Sequence, residues 1–204
     1  MKNEILDRIQ QLGGDISRVK HLSFAEDWSS IQFNCPLYSK TWADNVFGID
    51  EFYENNKTLY QKDPNLFYID LINNFFTFGK EARGETFFQN HLFTPMKKGT
   101  PDNDEWGDSF EEESNFDEIR KIIPHKEVIN FIQIFSSYGY PDHFYVSLED
   151  PDQNNPTVFS TDHEVFFTEI DNEGSLDKFL DGFLTKEEFL EVVKDYIKNN
   201  KDKK

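Results

Sequence analysis

The sequence predicts an α+β fold, with a mainly antiparallel central sheet flanked by N-terminal and C-terminal helices. Apolar residues recur at helical spacing near both ends of the chain, over residues 3–12 and 176–197. From residue 128 onward, four short runs of β-prone residues alternate with turns. The connections between these runs are too short to contain crossover helices, which favours antiparallel pairing.

The length and the cysteine content limit the class of protein. A chain of 204 residues is long enough to bury a core without a disulfide or a metal. Its single cysteine, Cys35, excludes an internal disulfide framework and a Cys-based zinc site. The sequence contains no run of roughly 18–20 apolar residues, and we expect no signal peptide. We therefore expect one cytoplasmic domain over residues 1–204, with no membrane contact.

The first part of the chain predicts one helix and then an irregular segment. Ile5 and Ile9 fall at helical spacing within residues 3–12, and Gly13 ends that helix. Residues 22–47 are rich in aromatic side chains, including Trp28, Trp42 and Phe47. We predict no regular element there, because Cys35 is followed by a proline.

Helices and a strand region are predicted between residues 49 and 95. A second helix covers Ile49 to Tyr60. A third helix starts at Asp63-Pro64, where an aspartate caps the helix and proline takes its first position. Residues 79–95 predict a turn with one or two strands. Residues 99–118 predict a long acidic loop with room for one helical turn, inserted before the main sheet.

The last third predicts the sheet and two closing helices. The four strand candidates are Ile129–Phe135, His143–Leu148, Thr157–Ser160 and Glu164–Ile170. Ser175 is the capping candidate of one helix, and Thr185 with Glu188 has the spacing of a capping box at the start of the next. Residues 199–204 are expected to be a frayed tail. The residues expected in the core are Val146, Val158, Phe159, Phe166, Phe179, Leu180, Phe183 and Leu190.

The charge is concentrated in the middle of the chain. The whole protein has 21 basic and 39 acidic residues, a net charge of −18. Residues 102–177 contain 20 acids and 3 bases, a net of −17, against −2 in residues 1–101 and +1 in residues 178–204. This distribution argues against nucleic acid or an anionic membrane as a direct partner.

No sequence motif indicates catalysis. The nucleophile elbow, the P-loop, the dinucleotide-binding glycine motif and His-Glu-x-x-His are all missing from the sequence. We therefore assign no catalytic residue, expect no cofactor and classify the protein as a non-enzyme.

Two patterns in the sequence partly resemble metal sites. The segment Asp102–Glu113 matches an EF-hand loop at positions 1, 3, 6 and 12, but Trp106 and Phe110 stand at positions 5 and 9, which need oxygen ligands. His143 and His163 each sit beside an aspartate at a strand entrance, but they have no third ligand at a recognisable spacing. The expectation is no specific metal at either place.

The acidic segments suggest a surface for a basic protein. Residues 102–118 contain nine acids and no base, which fits either a solvated loop or a docking surface whose aromatic residues act as anchors. Turns that join paired strands lie at the ends of a sheet, so we expect residues 149–152 and 162–164 to share a rim with this segment. The expected partner-binding residues are Asp102, Asp104, Glu105, Trp106, Asp108, Phe110, Glu111, Glu112, Glu113, Glu149, Asp150, Asp152, Asp162 and Glu164.

A family resemblance adds to this interpretation. A strand that ends in an acidic turn (Tyr145–Asp150) is followed by Asn155-Pro156-Thr157-Val158-Phe159, by Thr161-Asp162-His163-Glu164 and by the helix start Ser175-Leu176-Asp177-Lys178-Phe179-Leu180. This order, over residues 128–197, resembles the SUKH superfamily of Smi/Knr-like proteins.

The resemblance implies an α+β domain that binds proteins and has no enzymatic activity. Bacterial members are typically cytoplasmic immunity proteins that neutralise polymorphic toxins, often nucleases, whereas fungal members are interaction scaffolds. We accordingly expect an immunity protein that binds a basic toxin domain through its acidic surface. An intracellular regulatory or scaffold module, and a metal-dependent enzyme or binder, stay open as alternatives; the oligomeric state is also open.

Overall fold

The computed structural model describes residues 1–41, 48–79, 85–112, 114–138 and 142–200 of the chain. In these ranges the helices are α1 (Asn3–Gln11), α2 (Phe24–Ser30), α3 (Ile49–Asn55), α4 (Lys57–Lys62), α5 (Pro64–Phe75), α6 (Pro101–Glu112), α7 (Asp117–Arg120), α8 (Leu176–Asp181) and α9 (Lys186–Asn200). The strands are β1 (Gly14–Asp15), β2 (Gln32–Phe33), β3 (Thr86–Phe93), β4 (Phe131–Ser137), β5 (His143–Ser147), β6 (Thr157–Thr161) and β7 (Asp171–Ser175).

The central sheet confirms the predicted fold class. Its five strands lie in the order β3-β4-β5-β6-β7, and every neighbouring pair is antiparallel. Strands β1 and β2 form a separate two-stranded sheet. The chain is thus an α+β protein whose helices precede, interrupt and follow one antiparallel sheet.

The prediction of a strand at Glu164–Ile170 is wrong. This segment forms turns, in which the backbone N–H groups of Thr168 and Glu169 donate to the carbonyl of Val165. Phe167 has a left-handed φ of 57° and is buried. The last strand is instead the polar β7, which follows directly. Its acidic, poorly β-prone sequence is typical of an exposed edge strand, where charge blocks unwanted pairing.

The irregular segment predicted for residues 22–47 contains a helix. Helix α2 begins after Ser23, whose side chain accepts a hydrogen bond from the backbone N–H of Glu26 at 3.2 Å. The predicted helix α1 is confirmed within a few residues. The single helix predicted from Ile49 to Tyr60 is instead two helices, α3 and α4, with Asn56 between them. Trp42 and Phe47, which were also assigned to the irregular segment, lie outside the described residues.

The helix starts predicted from capping residues are confirmed at two places. Asp63 Oδ1 accepts from the N–H of Leu66 at 3.1 Å, with Pro64 at the first position of α5. Thr185 and Glu188 exchange both hydrogen bonds of a capping box at the start of α9. Helix α9 continues through Asn200, so only the last four residues of the expected frayed tail remain outside the described chain. In the described ranges, no helix is long and apolar enough to cross a membrane.

The sheet separates two apolar clusters. One face, which we call the α1 face, presents Ile132, Val146 and Val158 to helices α1, α2 and α8. The opposite face, the α6 face, presents aromatic side chains that cluster with residues from α6, α7 and the turns after β6. A third cluster joins α3, α5 and α9. The aromatic side chains of the α6 face are Phe93, Phe131, Tyr145 and Phe159.

Most of the predicted core is buried. Val146, Val158, Phe159, Leu180 and Phe183 are at most 4% exposed. The other three predicted core residues, Phe166, Phe179 and Leu190, are only half-buried at the borders of the clusters.

Candidate functional site

The acidic segment is a helix rather than the predicted loop. Thr100 Oγ1 accepts the backbone N–H of Asn103 at 3.3 Å, and Pro101 takes the first position of α6. Asp102, in the first turn, accepts from the N–H of Thr94 at 2.8 Å and from its Oγ1 at 3.1 Å. A carboxylate in this position is also favoured by the helix dipole. These polar tethers start the helix although its apolar periodicity is weak.

The inner side of α6 packs tightly on the sheet. Asn103 Nδ2 donates to the carbonyl of Pro95 at 2.6 Å, and a Cβ added at Gly107 would lie 2.6 Å from the same Nδ2 atom. Phe110 is 6% exposed, and its ring centroid lies 4.9 Å from that of Phe167. The expectation that Phe110 anchors a partner is therefore wrong: its ring is part of the core.

The outer side of α6 presents four exposed carboxylates: Asp104, Glu105, Asp108 and Glu111. We call these four residues the acidic face. No basic residue occurs in the helix, and no ion pair joins these carboxylates to a cation among the described residues. The side chain of Glu112 and all of Glu113, two further predicted site residues, lie outside the described part of the structure.

Trp106 gives α6 an apolar side next to the acidic face. It is 37% exposed, and its ring centroid lies 5.1 Å from that of Phe166. Phe166 is half-buried and also contacts Phe93 at 5.8 Å. The sequence analysis placed Phe166 in the core and did not predict its contact with Trp106. Phe166 and Phe167 are adjacent in a short apolar run, and only one of two adjacent side chains can point into the core. The sequence therefore contained a signal that one of them lies nearer the surface.

Most acids of the β5–β6 connection accept hydrogen bonds from nearby residues of the protein. Glu149 accepts from the backbone N–H and from Nδ2 of Asn130, both at 2.8 Å. Asp150 is 4% exposed and accepts from the N–H groups of Asp152 and Thr157, both at 2.8 Å. The expectation that Asp150 contacts a partner is therefore wrong, because its carboxylate is enclosed by the turn that it stabilises. Asp152 stays exposed, with Oδ2 3.7 Å from Lys2 Nζ.

The predicted acidic segments do not share one rim. The turn at residues 149–152 follows β5, whereas residues 162–164 follow β6, which runs in the opposite direction, so the two turns lie at opposite ends of the sheet. Helix α6 lies against the sheet face between them, and its aromatic contacts are with Phe166 and Phe167. In an antiparallel sheet, successive turns lie at alternate ends. The expectation of one shared rim did not take this alternation into account.

Asp162, Glu164 and the histidines lie near the β6 end. Asp162 Oδ1 accepts from the N–H of Glu164 at 2.6 Å and lies 3.3 Å from His163 Nδ1. Burial raises the pKa of the Asp142 carboxyl, and the neighbouring acids, Asp162 first, raise it further. Burial also lowers the pKa of His143, with His163 adding to the effect.

No hydroxyl or thiol is hydrogen bonded to His143 in the described chain, although Ser136 and Thr161 are its partners on the neighbouring strands. Its Nδ1 atom lies 2.8 Å from Nε2 of Gln133, an arrangement that fits a neutral ring accepting from the amide. No serine, threonine or cysteine side chain is hydrogen bonded to it among the described residues. No group of three metal-ligating side chains is found within the described ranges either. The described residues at this end of the sheet therefore offer polar contacts, and no catalytic arrangement is recognised among them.

Comparison with protein-family models, with curated proteins and with solved structures finds no match to the chain. The likeness of residues 128–197 to the SUKH superfamily thus stays a prediction, and the function is argued from the geometry. The surface with the most distinctive chemistry is the acidic face of α6 with Trp106 beside it.

Proposed function

We propose that the chain is a non-enzymatic, cytoplasmic immunity protein that neutralises a basic toxin domain by binding it through the acidic face of α6. One observation carries this proposal: four exposed carboxylates lie on one short helix that contains no base. The resemblance to immunity proteins of the SUKH type and the charge of the surface support the same class of partner.

The charge pattern of α6 opposes the stability of the helix. Asp104 and Asp108 are four residues apart, and Asp108 is three residues from both Glu105 and Glu111. Like charges at these spacings destabilise a helix by roughly 0.2–0.5 kcal/mol per pair. Glu111 lies in the last turn, where the helix dipole disfavours an anion. The helix dipole favours only Asp104, which lies in the first turn. Because the like-charge pairs and the position of Glu111 oppose folding, binding is the better explanation for the acidic face.

The acidic face and Trp106 have different roles in the proposed complex. The carboxylates attract a basic partner over distances limited by a Debye length of about 8–10 Å at physiological salt, and so raise the association rate. Trp106 supplies an exposed apolar surface of the kind that slows dissociation once a partner is bound. A nuclease domain is a fitting partner, because its basic nucleic-acid groove is complementary to an array of carboxylates.

The test uses a charge-neutral variant and a matched control. In the test variant, Asp104→Asn, Glu105→Gln, Asp108→Asn and Glu111→Gln remove the four charges of the acidic face. The control removes four exposed carboxylates from other helices through Glu51→Gln, Asp70→Asn, Glu187→Gln and Asp195→Asn. Association with the purified product of a toxin gene adjacent to the gene of this protein is measured by stopped flow at two salt concentrations.

We expect the test variant to associate about tenfold or more slowly than the wild type at low salt, with a weaker salt dependence, while the control variant changes little. Trp106→Ala should mainly accelerate dissociation. Cells that express the toxin should lose protection with the test variant only. Equal association rates for wild type and test variant would refute the role of the acidic face.

The same experiment addresses the alternative regulatory role. A scaffold of this fold would have no toxin to neutralise, so the wild type would neither bind the adjacent product nor protect cells from it. That outcome would refute the immunity function and leave an acidic protein-binding surface whose partner has to be sought elsewhere.

A further inference from the structure

A cleft of about 580 Å³ opens on the side of the molecule opposite to α6, between the segment after β1 and helix α2. Its volume falls in the range of about 300–1,000 Å³ that is typical of sites for small molecules. The residues that line it are Ser17, Arg18, Val19, Lys20, Leu22, Glu26, Asp27 and Ser30. We propose that this cleft binds a small organic anion with an apolar body.

The charged mouth of the cleft argues for an anionic ligand. Arg18 and Lys20 are exposed, and neither forms an ion pair with a carboxylate among the described residues. Arg18 donates a hydrogen bond to the neutral amide oxygen of Gln32, at 3.3 Å. Hydrogen bonds from Ser17 lower the pKa of the Asp15 carboxyl, and the nearby charge of Arg18 adds to this effect. Two cations at one opening are available to a carboxylate, sulfonate or phosphate group.

The acids that line the cleft offset this charge only in part, because exposed Glu26 balances one of the two cations and Asp27 is buried. The hydroxyl of Ser23 donates to Glu26 Oε2 at 2.7 Å. Asp27 is 2% exposed, its Oδ1 atom accepts from the N–H of Leu22 at 3.3 Å, and its Oδ2 atom lies 3.6 Å from the Met1 backbone nitrogen. The available positive charge is at the mouth of the cleft, and the buried carboxylate is at its inner side.

The wall between the charges supports an apolar ligand body. Leu22 is 66% exposed, the highest value among the exposed large apolar side chains of the described residues, and half-buried Val19 lies beside it. His21 has a left-handed φ of 57°. The residues on either side of it, Lys20 and Leu22, line the cleft, whereas His21 does not. An apolar group against Leu22 would remove exposed hydrocarbon from water.

Asp27 sets the orientation of the ligand. Its Oδ2 atom receives no hydrogen bond among the described residues although it is buried, and a carboxylate there repels an anion that enters deeply. The anionic end of the ligand therefore stays with Arg18 and Lys20, and its apolar body lies against Val19 and Leu22. This proposal does not depend on the acidic face, which lies on the other side of the sheet and attracts the opposite charge.

The test uses 1-anilinonaphthalene-8-sulfonate, a fluorescent anion with an apolar body and one N–H donor. It is titrated into the folded protein, into Arg18→Gln with Lys20→Gln, into Leu22→Ser, and into the control Lys97→Gln with Lys98→Gln. All five substituted positions are exposed, and equal urea midpoints verify that the variants are folded, since this probe also binds partly unfolded chains.

The wild type and the control should show one saturable site with the same dissociation constant. The Arg18/Lys20 variant should bind about fivefold or more weakly and lose its salt dependence, and Leu22→Ser should also bind more weakly. The proposal is overturned if the folded wild type shows no saturable binding, or if the control variant weakens binding as much as the Arg18/Lys20 variant.

Discussion

Helices α5 and α6 have the same length and the same kind of beginning, yet they meet the rest of the protein differently. Each has twelve residues and starts with proline after a residue whose side chain accepts a backbone N–H, Asp63 for α5 and Thr100 for α6. Helix α5 buries Phe67, Leu71 and Phe75 along one stripe. Helix α6 buries one large apolar side chain, while most of its other side chains are acidic or polar.

The difference shows that a helix can be specified by its ends as well as by its apolar stripe. In α5 the cap and the stripe agree, so the sequence predicts it without conflict. In α6 the cap, the proline and the tethers to Thr94 and Pro95 compensate for a weak stripe. Because so few of its side chains are needed for packing, α6 can carry charges that α5 does not, which is the basis of the proposed binding surface.

The largest expected effects are in the cores of the two helices. Phe67→Ala should lower the free energy of unfolding by about 3–5 kcal/mol, because Phe67 is 0% exposed. Phe110→Ala should cost somewhat less, about 3 kcal/mol, because its ring lies nearer the surface. Urea unfolding measures both. An unchanged stability for Phe110→Ala would contradict the packing of α6 on the sheet.

The capping residues should contribute equally to the two helices. Asp63→Ala and Thr100→Ala each remove a side-chain acceptor from the first turn, which typically costs about 1 kcal/mol. Asp63→Asn and Thr100→Ser, which retain an acceptor, are the matched controls and should lose much less. If Thr100→Ala leaves the urea midpoint unchanged, the tethers of Asp102 rather than the cap would be what starts α6.

The acidic face should cost stability, whereas the single acid of α5 should not. The fourfold variant of Asp104, Glu105, Asp108 and Glu111 should gain roughly 0.5–1 kcal/mol at low salt by removing the three like-charge pairs within the acidic face and the pairs of Glu105 with Asp102 and of Asp108 with Glu112. The gain should shrink as salt is added. Asp70→Asn in α5 should change the unfolding free energy little. A fourfold variant that is less stable than the wild type would mean that these carboxylates support the fold.

A smaller, pH-dependent effect is expected at Asp142, a partly buried acid that contrasts with the exposed acids of α6. Burial and neighbouring acids raise its pKa in the folded state, so its ionisation lowers stability at pH values above that pKa. Asp142→Asn should thus be more stable than the wild type at neutral pH, and this gain should disappear as the pH falls through the folded-state pKa. Urea unfolding at pH 7 and pH 4 tests this, and a gain of equal size at both would contradict it.

Most of the fold follows from local patterns. Helices α1, α5, α8 and α9 and strands β4 to β6 each have a clear period or a cap, and short connections impose antiparallel pairing. The last strand was misplaced because the apolar run before it is more β-prone than β7 itself. Phe167 prevents an extended strand in that run. Its side chain is buried, its backbone N–H donates to Thr161 Oγ1, and its carbonyl accepts from the N–H of Asn115.

The candidate site was predictable in composition but not in arrangement. The block of acids is visible in the sequence, and so was the Thr100-Pro101 helix start, which has the same form as Asp63-Pro64. The burial of Phe110 and Asp150 was not visible, because it depends on which residues distant in the chain surround them. An aspartate in a turn and an aspartate on a binding surface look the same in one sequence.

The hydrogen bond from Asn115 to the carbonyl of Phe167 bears on how this surface can be re-engineered. Because the Phe110 ring packs on Phe167 and Asn115 follows α6 by only three residues, the acidic helix cannot be exchanged as a cassette: removing it would leave a void in the aromatic cluster and would disturb the segment that bonds to the Phe167 carbonyl. Specificity for a new partner is better redesigned by changing only the outward positions 104, 105, 108 and 111. The scaffold tolerates new chemistry there while Asn103, Gly107 and Phe110 are retained.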